Sequence, residues 1–231
     1  MVLRHRVFLS QPPLQPVGFC GIIVNVGNGM CLRNCRYMPN VINNRGIPMK
    51  TTKKVLIVID VQNDFITGCL GNEMARKALP NIVNLVKNEK YDYTYMTMDT
   101  HGEGYLTNTL EGKRLPVEHC IEGTDGWKVP DELYDAINDY QNLIHIFNKP
   151  TFGSVYMCSH LASTLTEDNV DYEFTFVGFC TDICVVSNAL MLRAYFPNST
   201  IKVIENCTEG VTPESKRNAL ETMKMCQIEV I

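Results

Sequence analysis

The chain has 231 residues, 45% of them hydrophobic and 20% charged, which is enough for one large core or two small ones. No apolar run reaches the length of a membrane span, and a net charge of −4 argues against a nucleic-acid-binding surface. Its ten cysteines are dispersed, and some, such as Cys69 and Cys158, sit inside apolar patterns. A reducing, cytoplasmic setting is therefore expected rather than a secreted disulfide scaffold.

Residues 1–48 carry neither a helical nor an alternating period and are rich in Pro, Gly and Asn. The first 49 residues hold five arginines (Arg4, Arg6, Arg33, Arg36, Arg45) and no Asp, Glu or Lys, which leaves 16 basic against 25 acidic residues in the remainder. The expectation is a non-core N-terminal extension, either disordered or upstream of a working start at Met49. An acid-free, Arg-bearing start also fits organellar targeting, although the segment is poor in Ser and not clearly amphipathic. Cys31 and Cys35 have no second ligand pair nearby, so no zinc site is expected there.

From Lys53 the pattern becomes regular, and one folded domain is expected over 49–231. The run VLIVID (Val55–Asp60) reads as a strand covered on both faces. Residues from about Glu73 to Lys87 have helical spacing, with Pro80 expected to start or kink a turn. YTYMTMD (Tyr93–Asp99) is the next strand. An irregular stretch to Val129 precedes a short helix, Pro130–Tyr140, and a strand, Asn142–Lys149, in which His145 reads as a satisfied core or sheet histidine. Glu173–Phe179 predicts a fourth strand feeding a helix from about Asp182 to Tyr195. A fifth strand follows over Ile201–Cys207. Thr212 and Pro213 open the last helix as N-cap and first helical residue, and IEVI closes the chain as a sixth strand. This alternation predicts a three-layer α/β fold with a six-stranded, mostly parallel sheet and helices on both faces.

Polar residues recur at the strand ends. Asp60, Asp99 and Lys149 end the first three strands, and Cys180 and Cys184 follow the fourth. Ligands of open parallel sheets bind beyond the carboxyl ends of the strands. Each residue alone is ordinary, since an Asp there is commonly a turn former and a buried Cys is commonly packing. Their coincidence on one sheet edge suggests a reactive site. The two cysteines could be half a metal site, a redox couple, two core residues, or one nucleophile beside a bystander. Their C-x-x-x-C spacing is not that of the C-x-x-C redox motif, and no second pair follows. Asp99 and His101, two apart on extended backbone, share a face, and His119 lies in a loop long enough to fold back. Two imidazoles and a carboxylate suit one divalent metal, Zn²⁺ first, then Fe²⁺ or Mn²⁺.

The segments IDVQNDF, MDTH, LPVEHC, FNKPTFGS and VGFCTDICVVSNAL come in the order, and at roughly the spacing, of the cysteine hydrolase (isochorismatase-like) superfamily. Over residues 53–231 the chain resembles the nicotinamidase branch. That resemblance implies a catalytic triad of Asp60, Lys149 and Cys184. It also implies an oxyanion hole from the backbone N–H groups of Cys180 and Cys184, and a cis peptide at Phe179–Cys180. In this scheme Asp60 takes the thiol proton, Lys149 supports the thiolate, and the start of the helix after Cys184 favours it further. The implied metal ligands are Asp99, His101 and His119, with Glu111 a further candidate whose spacing to His119 departs from the family pattern.

Phe65 is a candidate aromatic wall for a flat ring; Trp127 is a second candidate that reads better as core. The implied activity is hydrolysis of nicotinamide to nicotinate and ammonia through a cysteine thioester, in NAD salvage. The implied partner is a small-molecule amide, with neither nucleic acid nor membrane, and a homo-oligomer is compatible. The nearest rival is another hydrolase of the superfamily, acting on a carbamoyl amide, a ureido acid or isochorismate. An isochorismate hydrolase would need neither Cys184 nor the metal residues. A more distant rival is a non-catalytic metal-binding domain of the same fold.

Overall fold

The computed structural model describes residues 50–140 and 144–231. The expectations for residues 1–48, including those for Cys31 and Cys35, lie outside the described residues. The strands are β1 (Thr51–Ile59), β2 (Tyr93–Asp99), β3 (Ile144–Lys149), β4 (Val170–Phe179), β5 (Thr200–Glu209) and β6 (Glu229–Val230). They form one sheet in the order β3-β2-β1-β4-β5-β6. Every adjacent pair is parallel, so the sheet is wholly rather than mostly parallel. Strand order reverses at β1, which lies between β2 and β4; this is the switch point at which such sheets bind ligands.

The helices are α1 (Asn63–Ile66), α2 (Glu73–Asn88), α3 (Tyr105–Asn108), α4 (Leu110–Arg114), α5 (Asp131–Tyr140), α6 (Val155–Thr164), α7 (Val186–Tyr195) and α8 (Pro213–Met225). The continuous apolar run of β1 serves two faces. Val55, Ile57 and Ile59 join a core with residues of α6, α7 and α8, such as Leu161, Ala189 and Met223. Leu56 and Val58 join a second core with residues of α2 and α5, such as Ile82 and Leu133. The three layers follow directly from that alternation.

Asn72 caps α2 by accepting from the Ala75 N–H at 2.8 Å. Contrary to expectation, α2 runs unbroken through Pro80, which sits on the solvent face. An interior proline costs about 3 kcal/mol. Burial of Leu79, Ile82, Val83 and Val86, at about 1.5–3 kcal/mol each, outweighs it. At α8 the Thr212 cap and Pro213 start appear as anticipated, and Ser215 completes a reciprocal capping box.

Helix α6 has no counterpart in the sequence reading. Its segment VYMCSHLAST is apolar nearly all round, so it lacks an amphipathic signature. His145 is exposed on the edge strand β3 and stacks on Tyr95 at 5.3 Å, so it is a surface rather than a core histidine. A β-strand at the sheet edge leaves one side of its backbone to solvent, and its side chains follow.

Candidate active site

Each strand end delivers one group. Asp60 follows β1 in left-handed backbone (φ 47°), a conformation that short polar side chains tolerate best. Its N–H donates to the Thr97 carbonyl at 3.1 Å, and the Thr97 hydroxyl donates to Oδ1 at 2.7 Å. Both residues are buried. Lys149 comes from the end of β3, two strands away, and its long stem spans the gap. Its Nζ lies 2.7 Å from Asp60 Oδ2, 3.4 Å from Asp99 Oδ1 and 3.5 Å from Cys184 Sγ. The three triad candidates are therefore gathered around one ammonium.

Cys184 sits inside a π-helical turn, Thr181–Val185, that leads into α7. The peptide bond Phe179–Cys180 is cis, and the Cys180 carbonyl accepts from the N–H groups of Ile183 and Val185. Just before it, Gly178 has φ 119°, and a Cβ there would run into the Ile59 carbonyl of β1. Only glycine lets β4 close against β1 at this point. The buried Asn188 ties the turn down, donating to the carbonyls of Cys184 (2.8 Å) and Phe152 (3.1 Å) and accepting from the Ser154 N–H (2.8 Å).

The electrostatics correct one expectation. Cys184 lies in the first helical turn before α7, at the expected helix entry, but that position does not hold its thiol down. Burial pushes its thiol well above the ordinary value, with Asp60 adding and Lys149 opposing. Burial likewise pushes the Asp60 carboxyl up against the pull of Lys149, which makes it a better proton acceptor. Burial disfavours a charged Lys149, but Asp60, Cys184 and Asp99 outweigh that and raise its pKa.

The metal candidates also converge. The loop after β2 folds back through a parallel bridge between His101 and Ile121, with the His101 N–H donating to the Cys120 carbonyl at 3.0 Å. Asp64 fastens the returning strand by accepting from the Cys120 N–H at 2.7 Å. As a result Asp99 Oδ2 lies 3.0 Å from His101 Nε2 and 3.4 Å from His119 Nε2. Ligand atoms of Asp99, His101, Glu111 and His119 all fall within 4.8 Å of one another. Glu111 thus joins the cluster despite its unusual spacing, because the short helices α3 and α4 pack tightly. A Cβ at Gly112 would strike the Tyr105 carbonyl, and the Thr109 hydroxyl donates to that same carbonyl at 2.8 Å.

The donor set fits a divalent ion. His119 Nδ1 donates to the Val117 carbonyl at 2.9 Å, which fixes the ring with Nε2 toward Asp99, the atom that would meet an ion. Burial opposes charge on Asp99, but the two histidines outweigh it and hold its carboxyl well below the usual range. Burial and the neighbouring Asp99 push the Glu111 carboxyl up.

A cavity of about 720 Å³ opens onto both groups, with Cys184, Cys180, Asp99, Glu111 and His119 in its wall. Phe65 lines it and meets the His119 ring edge-on at 5.8 Å. Trp127 does not. Its indole N–H donates to Thr100 at 2.9 Å, and it packs on the core beneath α2 and α5.

Three further residues escaped the sequence reading. Gln62, fully buried, holds the end of β2 by accepting from the Asp99 N–H (2.7 Å) and donating to the Asp99 carbonyl (2.9 Å). Tyr105 packs on both histidine rings, at 4.3 and 5.1 Å. Asn188 is the third. Gln62 and Asn188 stand in the segments IDVQNDF and VGFCTDICVVSNAL, but their partners are brought near only by the fold; Tyr105 shows no local signal.

The comparisons with known proteins agree with this arrangement. The family model described as "Isochorismatase domain" matches residues 54–231. The Schizosaccharomyces pombe nicotinamidase is 25% identical over 223 residues, covering 76% of this chain and 91% of that protein. The crystal structure of a Bacillus subtilis nicotinamidase/pyrazinamidase superposes with a TM-score of 0.64 at 27% identity, covering 77% of this chain and 98% of that one. A Pyrococcus horikoshii pyrazinamidase, solved in complex with zinc, shares the fold with a TM-score of 0.58 at 21% identity, covering 78% and 98%. With a family model matching residues 54–231, the chain belongs to the isochorismatase family.

Proposed function

We propose that this protein is an amidohydrolase that converts nicotinamide to nicotinate and ammonia. The observation that carries the reading is the buried Lys149 ammonium, which touches Asp60 together with Cys184 and Asp99, the latter two in the cavity wall. The nicotinamidase relatives support the substrate class.

In this reading Cys184 Sγ attacks the carboxamide carbon as Asp60 accepts the thiol proton. The negative charge on the substrate oxygen rests on the N–H groups of Cys180 and Cys184. Asp60 returns the proton to the departing ammonia and leaves a thioester on Cys184. It then draws a proton from the water that cleaves the thioester and returns it to the departing Cys184 sulfur. Lys149 stays charged throughout and balances first the thiolate and then the ionised Asp60. Phe65 packs on the flat ring. Asp99, His101 and His119, with Glu111, would hold one divalent ion, Zn²⁺ by donor chemistry, with Fe²⁺ or Mn²⁺ compatible. When bound, that ion supplies a Lewis acid for the ring nitrogen and for ordering water.

The hydrolase domain is assigned to residues 49–231, with residues 1–48 an extension outside it. Among the described residues no helix is long and apolar enough to cross a membrane. The proposed setting is cytoplasmic NAD salvage, and a homo-oligomer is compatible with it. The test is ammonia and nicotinate release from nicotinamide beside a panel of other primary amides, with and without a chelator. Turnover of another amide with none of nicotinamide would keep the hydrolase and overturn the substrate.

A further inference from the structure

We propose that the cavity has an outer subsite, formed by Leu110, Leu115, Phe152 and Val211 with Arg114. It would take the apolar, carboxylate-bearing far end of a primary amide larger than nicotinamide. The proposal rests on the amidohydrolase reading of the inner end.

The first observation is size. A cavity of about 720 Å³ lies in the range that encloses drug-sized ligands, roughly 300–1,000 Å³, and a lone pyridine carboxamide fills only part of it. The second is composition. All the candidate chemical groups in the wall, Cys180, Cys184, Asp99, Glu111 and His119, belong to the inner end. The other wall residues include four large apolar side chains that are strongly exposed: Leu110 (65%), Leu115 (37%), Phe152 (46%) and Val211 (57%). Exposed apolar residues scattered singly are ordinary, but these four come from three separate segments and line one cavity. That continuity with the reactive end indicates what covers them: the rest of the substrate.

The third observation is charge. Among the described residues Arg114 is the only arginine or lysine in the wall. It follows Glu111 by three residues on α4, so the two share a helix face. Among the described residues it forms no ion pair. A guanidinium in this position suits a carboxylate, which it can bind with two parallel hydrogen bonds. The acids in the wall, Asp99 and Glu111, belong to the metal cluster and leave the Arg114 fork free for a ligand.

The probes are two pyridine-3-carboxamides carrying the same short alkyl chain on the ring, one ending in a carboxylate and the other in its methyl ester. Ammonia release is measured with wild type and with Arg114→Gln, and nicotinamide is run alongside. Wild type should show a kcat/KM for the carboxylate roughly tenfold above that for the ester, the lower end expected of a charge-assisted pair. Arg114→Gln should erase that preference by lowering the carboxylate alone. Phe152→Ser should lower both long amides relative to nicotinamide. Equal kcat/KM for acid and ester in wild type, or a preference that survives Arg114→Gln, overturns the subsite. Turnover of nicotinamide with no acid preference sinks the subsite and leaves the nicotinamide reading standing. Preferred turnover of the carboxylate with none of nicotinamide does the reverse. Failure on all three amides overturns both.

Discussion

Replacing Lys149 by Met keeps the stem and removes the charge. In a medium of effective dielectric about 20, two unit charges 2.7 Å apart attract by about 6 kcal/mol. The desolvation of Lys149 that the variant no longer suffers recovers several of these. What remains is an uncompensated, buried Asp60 beside Asp99, and removing one partner of a buried pair typically costs about 3–5 kcal/mol. For a domain of this size that is a fall of roughly 10 °C in Tm.

The deficit should depend on pH. Without its cation, the Asp60 carboxyl rises further above the usual Asp value, so the folded variant binds a proton that the unfolded chain has released. Its stability is then retained at low pH and lost as pH rises through the folded pKa. Thermal melts of wild type and variant between pH 5 and 8 should show the gap narrowing toward pH 5. A variant as stable as wild type at pH 8, or a deficit constant across that range, would refute the placement of Lys149 as the sole counter-charge for Asp60.

Cys184→Ala should abolish amide turnover while Cys180→Ala keeps most of it; equal loss in two folded variants would overturn the nucleophile assignment. The acid limb of kcat/KM, which reports the free enzyme, should lie above the ordinary aspartate value of about 3.9, because burial raises Asp60. A limb at or below that value would show that another group accepts the proton. His119→Ala should weaken divalent-metal binding at least 10–100-fold by elemental analysis after dialysis, while Cys184 still reacts with a small thiol reagent. Stoichiometric metal in that variant would remove His119 from the ligand set. Deleting residues 1–48 should leave Tm and turnover nearly unchanged, and a drop of several degrees would make the segment part of the folded domain.

The strand-end residues were legible because chemistry and periodicity coincide there. A β-branched run ends at Asp60, another strand ends at Asp99, and in a parallel sheet both ends must face the same way. Glu111 was harder to see. Its approach to His119 depends on the close contact at Gly112, which linear spacing does not express. Tyr105 and Asn188 were invisible for a similar reason, since each acts on residues brought near by the fold. Helix α6 went unseen because it is apolar on nearly every face, and Pro80 misled because burial along α2 outweighs a local rule. The upward push on the Cys184 thiol was also beyond reach, since helix position suggests the sign of one effect and only burial sets its rival.

Asp60, Asp99, Lys149 and Cys184 come from four different strand ends, and between one and the next the chain crosses the sheet by a helix-bearing connection. Parallel pairing is non-local, and its loop-closure entropy must be met before any contact rewards it. No fragment that stops short of β4 contains both Asp60 and Cys184, and no pair of sequence neighbours supplies even two of the groups around the Lys149 ammonium. The site therefore comes into being only when β1 to β4 are all in place. A bulky thiol reagent pulsed during refolding should reach Cys184 before β1 to β4 assemble and lose it afterwards, so the protection of Cys184 would time the closing of the sheet.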